Sequence, residues 1–273
     1  MTEAEEQNPL LDSLSQTILY ADKLLEEVTE SGGHSEKEVI IFALFRQLIE
    51  QVDGIFIGAD QNNLEIIRAL ARNAFETNLA IEYIFQDSAH LTDRALSYKV
   101  GSINQDIKWF QLAIDEKTLE PEVTEATLLS KKSLLEAQLV TASLAHITNE
   151  WNRVQAALRR GSPKWYSLFG GPSTIFALAQ HVNMEDEYRK IYAGLSATAH
   201  GTTALTNAAL EDAAGRVLLR PLRDVDKTKD ETPIRIGRTF LLGLISKLIL
   251  NYYTQKEAEF AVFLDEQIKP TAS

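Results

Sequence analysis

The sequence predicts an all-α protein, a single helical bundle of about seven or eight helices joined by short links. Apolar residues recur at three- and four-residue steps along nearly the whole chain, as they do on helices that bury one face. Segments of alternating polarity are too few to build a sheet. One short irregular or extended segment is expected near residues 215–225, where Pro221 would confine a strand to an edge or a turn.

Four helices are expected in the first half of the chain. The glycines of Ser31-Gly-Gly33 end the first. The second begins at Ser35-Glu-Lys-Glu38, a capping box in which the serine and the glutamate satisfy free backbone N–H groups. The first, third and fourth helices are expected over about residues 10–30, 60–87 and 90–115.

In the second half, proline and glycine divide the helices. Pro121 and Pro233 suit first helical turns, and the density of glycine and proline over 161–172 predicts a loop. The expected helices are, in order, one over about residues 121–160, a short one over about 173–181, one ending near Gly215, and one over about 234–268.

Composition predicts a folded protein without a membrane segment. Of the 273 residues, 45% are hydrophobic and 24% are charged, as in ordinary globular domains. We expect an acidic N-terminal helix over 1–34 and one helical domain over 35–273. The absence of cysteine excludes disulfides and thiolate metal ligands, and an acidic N-terminus is unlike a secretory signal. The apolar run at 239–253 contains Lys247 and is too short to span a bilayer. We therefore expect a cytoplasmic protein.

Charge argues against nucleic-acid binding by the whole surface. The net charge is −12, and residues 1–60 contain 13 acidic and 3 basic residues. Phosphate affinity comes mainly from lysine and arginine. Residues 151–164 nevertheless contain four basic residues and no acidic one, so a local basic patch stays possible, as does a simple surface role.

Two polar faces at helical spacing mark the candidate site. Because a buried polar group without a partner costs about 1–3 kcal/mol, we expect the faces to pair with each other or with a ligand. One face consists of Tyr188, Tyr192, Ser196 and His200, and the other of Arg72, Glu76 and Tyr83. The candidate catalytic residues are His200, Arg72 and Glu76. The candidate ligand-binding residues are Tyr83, Tyr188, Tyr192, Ser196 and Arg94.

Two separated motifs resemble a bacterial family known as domain of unknown function 5677. The first runs from Arg72-Asn-Ala-Phe-Glu76 through Tyr83 to Arg94-Ala-Leu-Ser-Tyr98. The second runs from Lys164-Trp165 through Tyr188 and Tyr192 to His200-Gly201. The resemblance covers about residues 40–210, the core on which the C-terminal helix 234–268 is expected to pack. It implies an all-helical bacterial protein and no particular activity.

Arg72-Asn73 is also similar, more distantly, to the start of the motif of HEPN ribonucleases. That motif has an arginine, a polar residue and, four to six positions later, a histidine. Positions 76–78 hold Glu, Thr and Asn instead, so His200 would have to supply the histidine from another helix. The resemblance implies that His200 is a general acid or base, that Arg72 stabilises phosphate charge, and that Tyr192 or Ser196 positions the phosphate.

Two functions stay open on these patterns. One is an effector of phage defence or stress that binds RNA or a nucleotide-like ligand and, if it is an enzyme, acts as a metal-independent ribonuclease. The other is a non-catalytic helical module whose polar faces are structural and whose acidic N-terminal helix binds a protein partner or a second copy. No metal and no cofactor are expected, because neither Glu-x-x-His pairs nor a phosphate-binding glycine loop occurs.

Overall fold

The computed structural model describes residues 8–116, 124–195, 209–211, 215–219, 223 and 231–268. These residues form two compact units. The terminal unit consists of the described parts of Met1–His34, Phe42–Ala80 and Glu185–Ser273, and the central unit consists of Ser35–Ile41 and Ile81–Met184. The expected organisation, an N-terminal helix over 1–34 and a domain over 35–273, stays a prediction.

The fold is all-α, as predicted, although seven or eight helices was slightly too few. Ten α-helices have both ends among the described residues. In chain order α1 to α10 are Pro9–Glu30, Glu36–Asp60, Leu64–Phe85, Leu91–Glu116, Glu125–Leu139, Ala145–Ala157, Ile175–His181, Glu185–Glu187, Thr232–Tyr252 and Glu257–Ile268. Two expected long helices are each divided in two, which accounts for most of the difference.

In the terminal unit, α1 packs against α9. Asn8 caps α1 by accepting a hydrogen bond from the Leu10 N–H at 3.0 Å. Buried leucines on both helices contribute to the core of this unit, and the apolar run at 239–253 lies mostly within α9. None of the described helices is long and apolar enough to cross a membrane.

In the central unit, α4 packs against α5, α6 and a 3-10 helix at Trp165–Gly170. That 3-10 helix lies within the loop expected over 161–172. The glutamate half of the expected capping box is present before α2, because the Ser35 N–H donates to Glu38 Oε2 at 2.7 Å. The Ser35 hydroxyl donates to the same carboxylate oxygen at 2.7 Å. The helices expected near 90–115 and 173–181 are present as α4 and α7.

The single helix expected over 121–160 was wrong, because α5 ends at Leu139 and α6 begins at Ala145. Two threonine hydroxyls bond to backbone carbonyls at the break. Thr141 Oγ1 donates to the Gln138 oxygen and Thr148 Oγ1 donates to the Leu139 oxygen, each at 2.8 Å. Such bonds compete with the helical pattern and favour a helix end. Pro121, the expected start, lies outside the described residues.

The single C-terminal helix expected over 234–268 was also wrong. Tyr253 leaves the helical conformation, with φ −147° and ψ 49°, and a 3-10 turn at Thr254–Lys256 separates α9 from α10. Aromatic and β-branched residues have a weak intrinsic preference for helix. Tertiary contacts of the turn, such as Lys256 Nζ to Glu27 Oε2 at 3.1 Å, can therefore decide the backbone there.

A short antiparallel pair, β1 at Ala209–Glu211 and β2 at Val217–Leu219, precedes α9. Strand β2 is the extended segment expected near 215–225. The expectation that a helix continues to about Gly215 was wrong, because β1 lies before that residue. Gly215 has φ 75°, a left-handed conformation that glycine adopts readily and that suits the connection between the strands.

Candidate functional site

Arg72, Glu76 and Tyr192 form a hydrogen-bonded group in the terminal unit, which we call the Arg72 cluster. Arg72 Nη2 donates to Tyr192 Oη at 3.2 Å, and Tyr192 Oη donates to Glu76 Oε1 at 2.8 Å. Arg72 Nε lies 3.5 Å from the same carboxylate oxygen. The four-residue step along α3 puts Arg72 and Glu76 on one face, so a single tyrosine hydroxyl reaches both. The structure thus brings three predicted site residues together.

The tyrosines of this site lie on a π-helical turn, Tyr188–Tyr192, that follows α8. The Ala193 N–H donates to the Tyr188 carbonyl oxygen, five residues earlier. Such single turns are rare inside helices and occur frequently at functional sites. Here the two tyrosine rings stack, with centroids 4.9 Å apart and planes 27° apart. Phe75 supports the Tyr192 ring from α3, at a centroid distance of 5.7 Å.

The Arg72 cluster holds one positive and one negative charge near the surface. The Arg72 and Glu76 side chains are 24% and 43% exposed, whereas Tyr192 is buried. The hydrogen bond to Tyr192 raises the pKa of Arg72, and burial raises the pKa of Tyr192. At neutral pH Arg72 is therefore charged and the Tyr192 hydroxyl keeps the proton that it donates to Glu76.

The chemical capacity of the Arg72 cluster follows from these groups. A guanidinium is the side chain best suited to bind phosphate oxygens, and a hydrogen-bonded tyrosine hydroxyl can orient an anion beside it. One donor is not used fully: Arg72 Nε is buried and forms no hydrogen bond with any described residue. The cluster can thus either recognise an anion or simply neutralise its own charges.

Ser196 and His200, the remaining residues of the predicted tyrosine face, lie outside the described residues. Their predicted roles in phosphate positioning and proton transfer stay predictions. The described residues of this segment end at residue 195.

Tyr83 and Arg94 lie in the central unit and contact each other. The Arg94 guanidinium carbon is 4.0 Å from the centroid of the Tyr83 ring, a cation–π arrangement, and Arg94 Nη1 donates to the Tyr83 backbone oxygen. Trp165 and His181 meet the same ring edge-on, at 5.8 and 5.5 Å. Burial raises the pKa of Tyr83. Tyr83 is therefore held among aromatic and cationic groups of its own unit.

A small pocket beside this group is lined by Arg94, His181, Phe169 and Gly171 among others, and encloses about 180 Å³. That is less than the roughly 300–1,000 Å³ usual for small-molecule sites. Phe169 has φ 54°, which is costly for a bulky residue, and Glu150 Oε1 holds the segment by accepting the Phe169 N–H at 2.8 Å. The pocket is too small to enclose a nucleotide.

A larger groove of about 640 Å³ lies in the central unit along α4. We call it the aromatic groove. All three tryptophans of the chain line it, namely Trp109, Trp151 and Trp165. Sequence reasoning missed this groove because the search followed polar residues. The available signal was the helical spacing of Tyr98, Gly101, Gln105, Trp109 and Leu112, together with the basic run that ends at Lys164.

No group of three or more potential metal ligands occurs among the residues that the structure describes.

Comparison with known proteins gives one family and no individual relative. No curated protein and no solved structure matches the chain significantly. Residues 38–215 match the model of a family of unknown function, DUF5677, in agreement with the two motifs. The chain therefore belongs to the DUF5677 family.

Proposed function

We propose that the protein binds RNA or a nucleotide-like ligand at the Arg72 cluster. The observation that carries the proposal is the π-helical turn at Tyr188–Tyr192, which stacks the half-buried Tyr188 on the buried Tyr192 beside a partly exposed arginine. Arginine suits phosphate, and an aromatic pair suits a base or ribose. The further role as an effector in phage defence or stress rests on the resemblance to HEPN ribonucleases.

The stronger form of the proposal is metal-independent RNA cleavage. Arg72 then stabilises the charge that develops on the phosphate, and Tyr192 and Ser196 orient the phosphate oxygens. His200 acts as general base on the ribose 2′-hydroxyl and, once protonated, can return its proton as a general acid. Glu76 keeps the Tyr192 hydroxyl and the Arg72 guanidinium in place.

Cleavage of a mixed RNA pool by purified protein tests this proposal. We compare wild type with Arg72→Gln, His200→Ala and the control Arg46→Gln, which changes an exposed arginine on α2. Wild type and the control are expected to bind and cut RNA, whereas the other two fold but do not cut. Melting curves on the same preparations separate lost function from lost structure. Absence of both RNA binding and cutting by wild type would overturn the proposal.

The second candidate function is a non-catalytic interaction module, with the Arg72 cluster in a structural role. It is favoured by the mutual satisfaction of Arg72, Tyr192 and Glu76, since such a network can hold helices in register without chemistry. Charge reversal on the acidic first helix tests partner binding. Glu26→Lys suits this test better than a change of Glu27, which already pairs with Lys256. Unchanged association of the variant in size-exclusion chromatography would contradict this candidate.

A further inference from the structure

The aromatic groove has one wall formed by a single face of α4. Residues 98, 101, 105, 108, 109 and 112 follow three- and four-residue steps and therefore share that face. Trp109 is 62% exposed and Leu112 is 44% exposed. Large exposed apolar side chains that gather in a concave site mark binding surfaces, whereas single ones do not.

The opposite wall comes from α6 and from the segment that leads into the 3-10 helix. Trp151 is buried and lines the groove from α6, and Trp165 lines it from the start of the 3-10 helix. Trp165 packs edge-on against Tyr98, with ring centroids 5.3 Å apart. Gly101 makes this close approach possible, because a Cβ at that position would lie 2.8 Å from the Trp165 Cβ.

The charge of the groove is positive, although the chain as a whole carries −12. Lys108 and Lys164 line it, and no acidic residue does. Neither ammonium group forms an ion pair with an acidic residue in the described ranges, whereas Lys99 pairs with Glu36 at 2.6 Å. Two lysines without such partners beside an aromatic surface complement an anion that carries a flat ring.

We propose that the aromatic groove binds a nucleotide, with its base against the tryptophans and its phosphate at Lys108 and Lys164. Bases stack favourably on tryptophan and tyrosine, and lysine binds phosphate as a compact positive charge. The volume of about 640 Å³ is in the range usual for small-molecule sites. This site goes beyond the Arg72 cluster, because residues of the central unit alone form it.

Intrinsic tryptophan fluorescence tests this proposal directly. Because every tryptophan of the chain lines the groove, direct contact quenching reports on ligands bound there. We titrate the full chain separately with AMP, GMP, CMP and UMP, with adenosine, with inorganic phosphate and with a short oligonucleotide. Because nucleotides absorb the exciting light and lower the fluorescence without binding, each titration is repeated by calorimetry. Saturable quenching by at least one nucleoside monophosphate, with weaker or no quenching by adenosine and phosphate, is expected.

Variants assign the two parts of the ligand. The double change Lys108→Ala and Lys164→Ala should weaken nucleotide binding by roughly a hundredfold, since each of the two charge-assisted hydrogen bonds contributes roughly tenfold, and should leave adenosine binding unchanged. Trp109→Leu should weaken the binding of both the nucleotide and adenosine. Lys131→Ala, an exposed lysine of the same unit outside the groove, is the matched control and should bind like wild type.

Three results would overturn the proposal: no binding of any of the four monophosphates, equal binding by the double lysine variant, or binding of the oligonucleotide alone, since the occupant would then be a strand. The test is independent of the proposed function. Arg72→Gln leaves the groove residues intact, and the lysine variants leave the Arg72 cluster intact. Either proposal, the one for the Arg72 cluster or the one for the aromatic groove, can therefore be disproved without affecting the other.

Discussion

The Arg72 cluster of the terminal unit and the aromatic groove of the central unit use charge in opposite ways. In the cluster, an arginine, a tyrosine hydroxyl and a carboxylate are joined by two hydrogen bonds and one ion pair within 3.5 Å. In the groove, two lysines face a surface of tryptophans with no acidic side chain in the lining. Polar residues within apolar helix faces usually form hydrogen bonds with each other. Charged groups without such partners can still bind a ligand. Of the two, the groove is the one that the pattern of polar residues in the sequence does not reveal.

The change expected to have the largest effect tests how closely the central unit is packed at the small pocket beside Tyr83. Gly171→Ala would bring a Cβ against the Tyr166 backbone oxygen and to 2.6 Å from Tyr83 Oη. Because backbone cannot move aside easily, we expect the free energy of unfolding to fall by about 3 kcal/mol. Urea denaturation measures this.

Gly243→Ala is the matched control for that change. No described atom lies within 4 Å of the position that its Cβ would occupy on α9, and alanine favours helix over glycine by about 0.5–1 kcal/mol. We expect a small gain in stability. Equal losses in both variants would show that the close contact at Gly171 is not decisive.

A medium effect is expected in the Arg72 cluster from Tyr192→Phe. The ring and its contact with Phe75 remain, but Arg72 and Glu76 lose the hydroxyl that joins them. Because both side chains are partly exposed and water can replace it in part, we expect a loss of about 1–2 kcal/mol, measured by chemical denaturation. An unchanged stability would mean that the network contributes little to the fold and would favour a ligand-binding role.

A smaller, pH-dependent effect is expected at Glu150, whose side chain is 11% exposed. Hydrogen bonds from Arg153 hold the pKa of this carboxyl below its usual range. The folded protein therefore gains stability from Glu150 above the usual carboxyl pKa, and loses it as the pH falls through the lowered value. We expect Glu150→Gln to lose about 1 kcal/mol at neutral pH. The difference in the free energy of unfolding between the variant and wild type should shrink below about pH 4. Urea denaturation at neutral pH and below that value measures this difference.

The smallest effect is expected from Tyr20→Phe, the counterpart of Tyr192→Phe in the same unit. The Tyr20 hydroxyl is buried without a hydrogen-bond partner among the described residues, and its ring stacks on Phe263 at 4.4 Å. Removing an unsatisfied hydroxyl should leave stability unchanged or raise it by up to about 1 kcal/mol. A clear loss would indicate that the hydroxyl has a partner in the folded protein.

Local signals in the sequence predicted much of the fold. Ser35 and Glu38 predicted the start of α2. The apolar periodicity predicted α4 to within one residue at each end. Arg72 and Glu76 were paired correctly because a four-residue step on a helix is itself a local geometry. Such features depend on neighbours in the chain, so they can be read without knowing the rest of the structure.

Other features depended on distant contacts. The helix end at Tyr252 falls where intrinsic preferences are weak, and tertiary contacts are then sufficient to break the helix. Tyr83 shares the spacing of Arg72 and Glu76, yet its partners are Arg94, Trp165 and His181. The aromatic groove requires Trp151 and Trp165 to meet a face of α4, which no spacing along the chain encodes.

By itself, the sequence determined the all-α class, the acidic first helix and the faces on which polar and aromatic side chains lie. Tertiary structure decided that Tyr192 bridges Arg72 and Glu76, that the C-terminal helix breaks after Tyr252, and that three tryptophans share one groove. The physical reason is that helical periodicity specifies which side chains point in the same direction. The residues that this face contacts depend on packing between segments far apart in the chain.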